Sequence, residues 1–283
     1  MLSGRSLARR AVRLKHAYST TSPAKDELPP LPMLQRPLGV KEYPTTVAKT
    51  WAEKRADLLN QEKRLEQRRH LIKEATKGYF HDLNATRKYG GKTWIAPPKM
   101  IRQEAALYFP DIVGKLLHEG KLAHTTDLCK GNISVISMLS TKISEAQTAS
   151  FVEPTNEAFL RERNYRFIQV NLQENILKSM LVSMFFSSLR KQIPQGLQPW
   201  YLVSSQNMEY VRESLGMVNK HIGYVYLLDE ELKVRWAGCG DAKPEETDAL
   251  RTSAGVLLKR IKVLNMLKKG KALTSKKRTP LEL

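Results

Sequence analysis

Cysteine is nearly missing from this 283-residue chain, present only at Cys129 and Cys239. Two cysteines so far apart form no disulfide framework and no CxxC redox pair, and a reducing compartment suits them. Metal-ligand spacing is missing too. His16, His70, His81, His118, His124 and His221 form no set of paired His and Cys ligands of the kind a structural zinc needs, so no metal site is expected. No apolar run reaches the roughly 18 residues that a membrane span needs. The best candidate, Ile176 to Leu189, carries Lys178 and is broken by Ser179, Ser183, Ser187 and Ser188, so it reads as a buried amphipathic helix. Aromatics make up only 7% of the chain, and no aromatic–basic RNA-recognition motif occurs. Gly238-Cys239-Gly240 lacks the third glycine of a dinucleotide fingerprint, so no cofactor is expected.

What is there is a globular composition, 41% hydrophobic and 27% charged, with a net charge of +19 placed mostly at the ends. Residues 1–25 carry six basic side chains and no acid, and residues 259–283 carry nine basic side chains against Glu282. The middle is only mildly basic. In residues 1–25, Leu7, Ala11 and Leu14 make one apolar stripe beside an arginine face, the pattern of a mitochondrial presequence. Residues 26–99 read as a linker with Pro29, Pro30, Pro32, Pro37 and Pro44, followed by a charged helix over 46–77. That helix has Trp51, Leu58, Leu65 and Ile72 at heptad spacing. Residues 100–267 form the main domain, and 268–283 a basic tail.

Within that domain the pattern turns α/β. Ala106–Phe109 and Ile112–Leu117 suggest a small hairpin around Pro110-Asp111. Asn132–Leu139 reads as a buried strand. A helix over 144–163 must accommodate Pro154. The order continues with a strand at 166–170, a helix at 175–191, a strand at 200–203 and a helix at 207–215 stopped by Gly216. A hairpin of 223–228 with 232–236 and a final helix over 243–267 complete it. The apolar face of that last helix is Ala249, Val256, Leu257, Ile261 and Leu264.

This order, with Trp200–Ser205 and His221–Gly238 as closing strands, resembles a thioredoxin-like domain, and within that class the peroxiredoxin variant. The resemblance implies an α/β fold with a central mixed sheet and helices on both faces, here preceded by an N-terminal helical extension. Thiol chemistry needs a low-pKa cysteine just after the first central strand. That stretch is Ser140 to Ala146, without sulfur. The loop facing it, Met217 to Gly223, has no proline, and no arginine lies between Gly216 and Asp229. Catalytic residues are therefore absent, and the chain is expected not to be an enzyme.

Three sets of residues sharpen the resemblance. They are Ala106-Leu107-Tyr108-Phe109-Pro110 with Gly114-Lys115, Thr125-Thr126-Asp127-Leu128 with Lys130-Gly131, and His221 to Asp229 continuing through Arg235 to Ala242 and Glu245-Glu246. They look like the fungal mitochondrial assembly factor family of ATP synthase, over roughly residues 100–265. The resemblance implies a non-catalytic chaperone that binds newly made subunit 6 of the membrane (Fo) sector. It also implies a peripheral position on the matrix side of the inner membrane, against its anionic surface. A mitochondrial RNA- or ribosome-binding protein is the competing reading, carried by the basic charge.

Arg235, Trp236, Gly238, Cys239 and Gly240 are the candidate partner-binding residues, read as following the last strand. Arg and Trp anchor interfaces, and glycine lets a second backbone approach closely. Equally, Trp236 caps a core and the glycines turn the chain. Lys268, Lys269, Lys271, Lys276, Lys277 and Arg278 are candidates for contact with an anionic leaflet or with RNA phosphate, or they form a solvated tail.

Overall fold

Ile133–Leu139 is apolar at all but Ser134 and Ser137, and a strand of that kind has to be covered on both faces. In the computed structural model it is an inner strand of a seven-stranded sheet. The structure describes residues 30–47, 65, 68, 90–173 and 182–276. The presequence segment 1–25, nearly all of the expected helix over 46–77, and Lys277 and Arg278 lie outside the described residues.

In chain order the strands are β1 (Val113–Leu116), β2 (Leu122–His124), β3 (Ile133–Leu139), β4 (Tyr165–Leu172), β5 (Tyr201–Ser204), β6 (Tyr224–Leu228) and β7 (Val234–Cys239). The helices are α1 (Thr125–Cys129), α2 (Lys142–Phe159), α3 (Val182–Gln192), α4 (Glu209–Arg212) and α5 (Pro244–Lys276). Across the sheet the order is β2-β1-β5-β4-β3-β6-β7. Strands β3, β4 and β5 are parallel, β6 runs antiparallel beside β3, and β7 runs antiparallel beside β6. A β–α–β unit followed by a β-hairpin and a helix, with spatial order β4-β3-β6-β7, is the thioredoxin-like arrangement. Strand β5 and the β1–β2 hairpin widen it.

Side-chain alternation assigns the two faces. Val225 pairs with Gly238, and a Cβ on Gly238 would lie 2.9 Å from the Phe151 ring of α2, so this face carries α2. Helix α5 packs against α2 on the same side. Tyr226, one residue on, faces the other way. Its ring meets Phe109 at 5.4 Å, and its hydroxyl donates to the Leu215 carbonyl at 2.7 Å. That second face is covered by α4, the turns after it, and coil that includes Leu38 and Phe109.

The structure departs from the sequence expectations at four places. The segment 106–109 does not pair with 112–117. Strand β1 pairs instead with β2, around a turn in which Gly120 takes a left-handed φ of +71°. The Asp111 carboxylate is occupied with the N–H and hydroxyl of Thr126 and with His124 Nδ1, so 110–111 carries the chain onward. The freed segment runs along the outer edge of β7, with Val234 N–H donating to Leu107 and Phe109 N–H to Leu232, each at 2.8 Å. It thereby hides an edge that would otherwise be exposed. Helix α4 is shorter than expected, and α2 runs through Pro154 without a break. The packed body begins well before residue 100. Leu38 is fully buried, Trp94 and Ala96 belong to the core, and the described residues from Leu31 onward belong to one compact unit. Prolines keep such a segment extended, but they leave its apolar side chains free to pack.

Candidate functional site

Three segments converge at the C-terminal end of β3: the first turn of α2, the loop 217–223 and the chain around Lys92. Thr141 and Ser144 form a reciprocal capping box. Thr141 Oγ1 accepts from Ser144 N–H at 3.1 Å, and Ser144 Oγ accepts from Thr141 N–H at 2.9 Å. The remaining hydroxyl capacity reaches across to the loop. Ser140 Oγ donates to the Lys220 carbonyl at 2.7 Å and Thr141 Oγ1 to that of His221 at 2.8 Å. Gln147 Oε1 accepts the Gly223 N–H at 3.0 Å. A Cβ on Gly223 would lie 2.6 Å from the Ser144 carbonyl oxygen, so only glycine lets the two backbones meet. The two stretches singled out for lacking sulfur and proline do adjoin. Hydroxyl groups latch them together where a redox protein places its thiols.

Behind the latch lies a buried ion pair that the sequence reading missed. Lys92 Nζ donates to Glu246 Oε2 at 2.7 Å, and both side chains are almost wholly buried, 4% and 3% exposed. Lys92 also donates to the carbonyls of Cys239 and Asp241, each at 2.9 Å, while Glu246 accepts the N–H groups of Ala96 and Lys243. Each charge has several partners, which offsets desolvation. Glu246 stands in the first turn of α5, where the helix dipole favours an anion. The acidic run at that helix start was visible in sequence, whereas its partner lies 154 positions away.

Neither thiol is at the latch. Cys129 ends α1 and Cys239 ends β7, and both are free and buried. Burial pushes the Cys129 thiol up to about 12, and burial likewise raises Cys239. Both are therefore protonated and poorly nucleophilic near neutral pH. Among the described residues no group of His, Cys, Asp and Glu has the arrangement of a metal site.

The five candidate partner-binding residues are buried, and the last strand runs on past Trp236 to Cys239. Arg235, Trp236, Gly238 and Cys239 are inside β7, and Gly240 follows it at φ +64°. Trp236 is 0% exposed and Arg235 2%. The indole N–H donates to the Pro97 carbonyl at 2.9 Å, and the guanidinium bonds Asp229 at 3.1 Å and the Ile101 carbonyl at 2.8 Å. These side chains tie the 97–101 segment to β7 and do not present a surface. Lys268, Lys269, Lys271 and Lys276 lie in the last turns of α5. Leu264, expected on the core face of that helix, is 44% exposed. Among the described residues the last core contact of this helix is Ile261, and beyond it the helix side chains are exposed.

Fold and site together define a thioredoxin-like protein with a hydroxyl latch in place of the redox pair. Beyond that class, a family model described as ATP10 protein matches residues 15–257, and the chain belongs to this family. The Mitochondrial ATPase complex subunit ATP10 of Saccharomyces cerevisiae is 30% identical over 254 residues, covering 84% of this chain and 90% of that protein. The protein of the same description from Eremothecium gossypii is 29% identical over 223 residues, covering 77% and 82%. Solved structures with a similar chain course include a DsbF homologue from Corynebacterium diphtheriae. It has a TM-score of 0.41 at 13% identity and covers 60% of this chain and 96% of that one. A secreted thiol-disulfide isomerase from Corynebacterium glutamicum has a TM-score of 0.42 at 14% identity, covering 58% and 92%.

Proposed function

We propose that this protein is a non-catalytic assembly factor for the mitochondrial ATP synthase. In this reading it binds newly made subunit 6 and promotes its entry into the Fo sector, working at the matrix side of the inner membrane. Residues 1–25 serve as the import address. The observation that carries the reading is the family match over residues 15–257, with relatives named as subunits of the mitochondrial ATPase complex. The latch supports the non-catalytic part. The hydroxyls of Ser140 and Thr141 are spent on holding the 217–223 loop, and both thiols are buried.

The test is crosslinking in intact mitochondria after pulse-labelling of mitochondrial translation products, followed by pull-down of this protein. A labelled band at the size of subunit 6 is expected. Recovery of ribosomal proteins and RNA with no labelled client would overturn the reading in favour of RNA or ribosome binding. The basic residues of α5 are what favour that second reading. Replacing Cys129 and Cys239 together by alanine is expected to leave ATP synthase assembly intact, and loss of assembly without loss of folding would reinstate thiol chemistry.

A further inference from the structure

Helix α5 changes character along its length. Its buried residues, Leu250, Ala254, Leu257, Leu258 and Ile261, hold one face against the body. Two residues after Ile261 comes Val263, which at 3.6 residues per turn stands about 200° around the helix. Val263 is 55% exposed, Met266 71% and Leu267 59%. An apolar stripe thus continues on the side turned away from the core, where the helix leaves the sheet. Val256 shares that side, by its spacing of seven to Val263 and eleven to Leu267. It lines a groove of about 550 Å³ with Ala158, Phe159 and Gly255, at the opposite end of α2 from the latch. Along the distal helix itself the charge has one sign, and the acid that meets it is Glu162 of the neighbouring turn, which pairs with Lys262 at 2.8 Å beside the groove. From Lys259 to Lys276 the sequence has Lys259, Arg260, Lys262, Lys268, Lys269, Lys271 and Lys276 and no acid.

We infer that the distal part of α5, from Lys259 onward, is an interfacial helix. Val263, Met266 and Leu267 enter the headgroup boundary of an anionic phospholipid surface while the flanking cations pair with its phosphates. The inference rests on the proposed matrix-side location only for the source of that lipid. Charge complementarity selects an anionic surface over a neutral one. Large exposed apolar side chains select a membrane over RNA, because phosphate contacts have no use for Val, Met and Leu. A span is excluded for this helix, since no helix among the described residues is long and apolar enough.

The experiment uses the purified full chain and flotation with vesicles of phosphatidylcholine alone or mixed with cardiolipin. Binding to the mixed vesicles only is expected. The triple variant Val263→Ser, Met266→Ser, Leu267→Ser is expected to lose at least about tenfold in partitioning, since these side chains supply the apolar burial. Its thermal unfolding should be unchanged, because the three positions are exposed. Leu267→Cys labelled with an environment-sensitive fluorophore gives a second readout, both native thiols being buried. Its emission should shift to the blue on mixed vesicles. Equal binding of both vesicle types, a triple variant that binds like the parent, or binding to polyuridylate but not to vesicles would each overturn the inference. None of these outcomes involves the client, so failure here is distinct from failure of the crosslinking experiment.

Discussion

Lys92 places a cation in the core, with its ammonium against Glu246 and two carbonyls and 5.2 Å from the centre of the Phe151 ring. Removing it strands the Glu246 carboxylate where water does not reach. Lys92→Met is therefore expected to lose about 3–5 kcal/mol of stability, the usual cost of breaking a buried pair from one side. Adding Glu246→Gln should recover part of that loss. Urea unfolding checks both, and a loss under about 1 kcal/mol for the single variant would show that the carboxylate finds another partner. The same scale explains why Arg235 and Trp236 were misplaced by sequence. Nothing local marks them as buried. Their covering comes from Pro97 and Ile101, whose approach to β7 no local pattern announces.

At the scale of elements, most strands were legible because β-branched and apolar runs bounded by turn residues have few other ways to hide their side chains. The exceptions are segments paired by something other than their own pattern, such as 106–109 on the edge of β7. The latch between α2 and the 217–223 loop is another such junction, and it depends on Gly223. Gly223→Ala puts a Cβ 2.6 Å from both the Ser144 carbonyl oxygen and Thr148 Cγ2, and should destabilise by about 1–3 kcal/mol or more. Gly196→Ala, with no neighbour within 4 Å, is the control and should stay within about 0.5 kcal/mol. Thermal unfolding of the two variants side by side reads the difference. The segment 31–40 is part of the body by the same kind of argument. Leu38 is 0% exposed, with its methyl groups against Gly216. Leu38→Ala should remove about 2–5 kcal/mol in urea unfolding. An effect near zero would return this segment to the status of a linker.

The whole molecule buries several acids that ionise only when alkaline. Burial holds the Cys129 thiol up to about 12 against an ordinary 9.0, and the Tyr201 phenol up to about 12 against 10.0. Tyr165, Tyr224 and Tyr226 are raised for the same reason. Above pH about 9 the unfolded chain gives up protons that the folded chain keeps, which favours unfolding. Stability from these groups is complete below the ordinary values and is lost as pH rises toward 12. The urea midpoint should fall steadily from pH about 9 upward, and a midpoint flat to pH about 11 would contradict this.

Composition and local pattern by themselves determined the class of this protein: an α/β domain, a basic surface concentrated at the chain ends, and no thiol pair to do redox work. Those follow from side-chain chemistry and short-range periodicity, which act over one or two turns of chain. Only the tertiary structure decided what replaces the thiols, where Arg235 and Trp236 point, how far the body reaches toward the N-terminus, and that α5 carries a second apolar stripe. Each of these depends on contacts between residues far apart in sequence, or on the point at which a helix makes its last core contact.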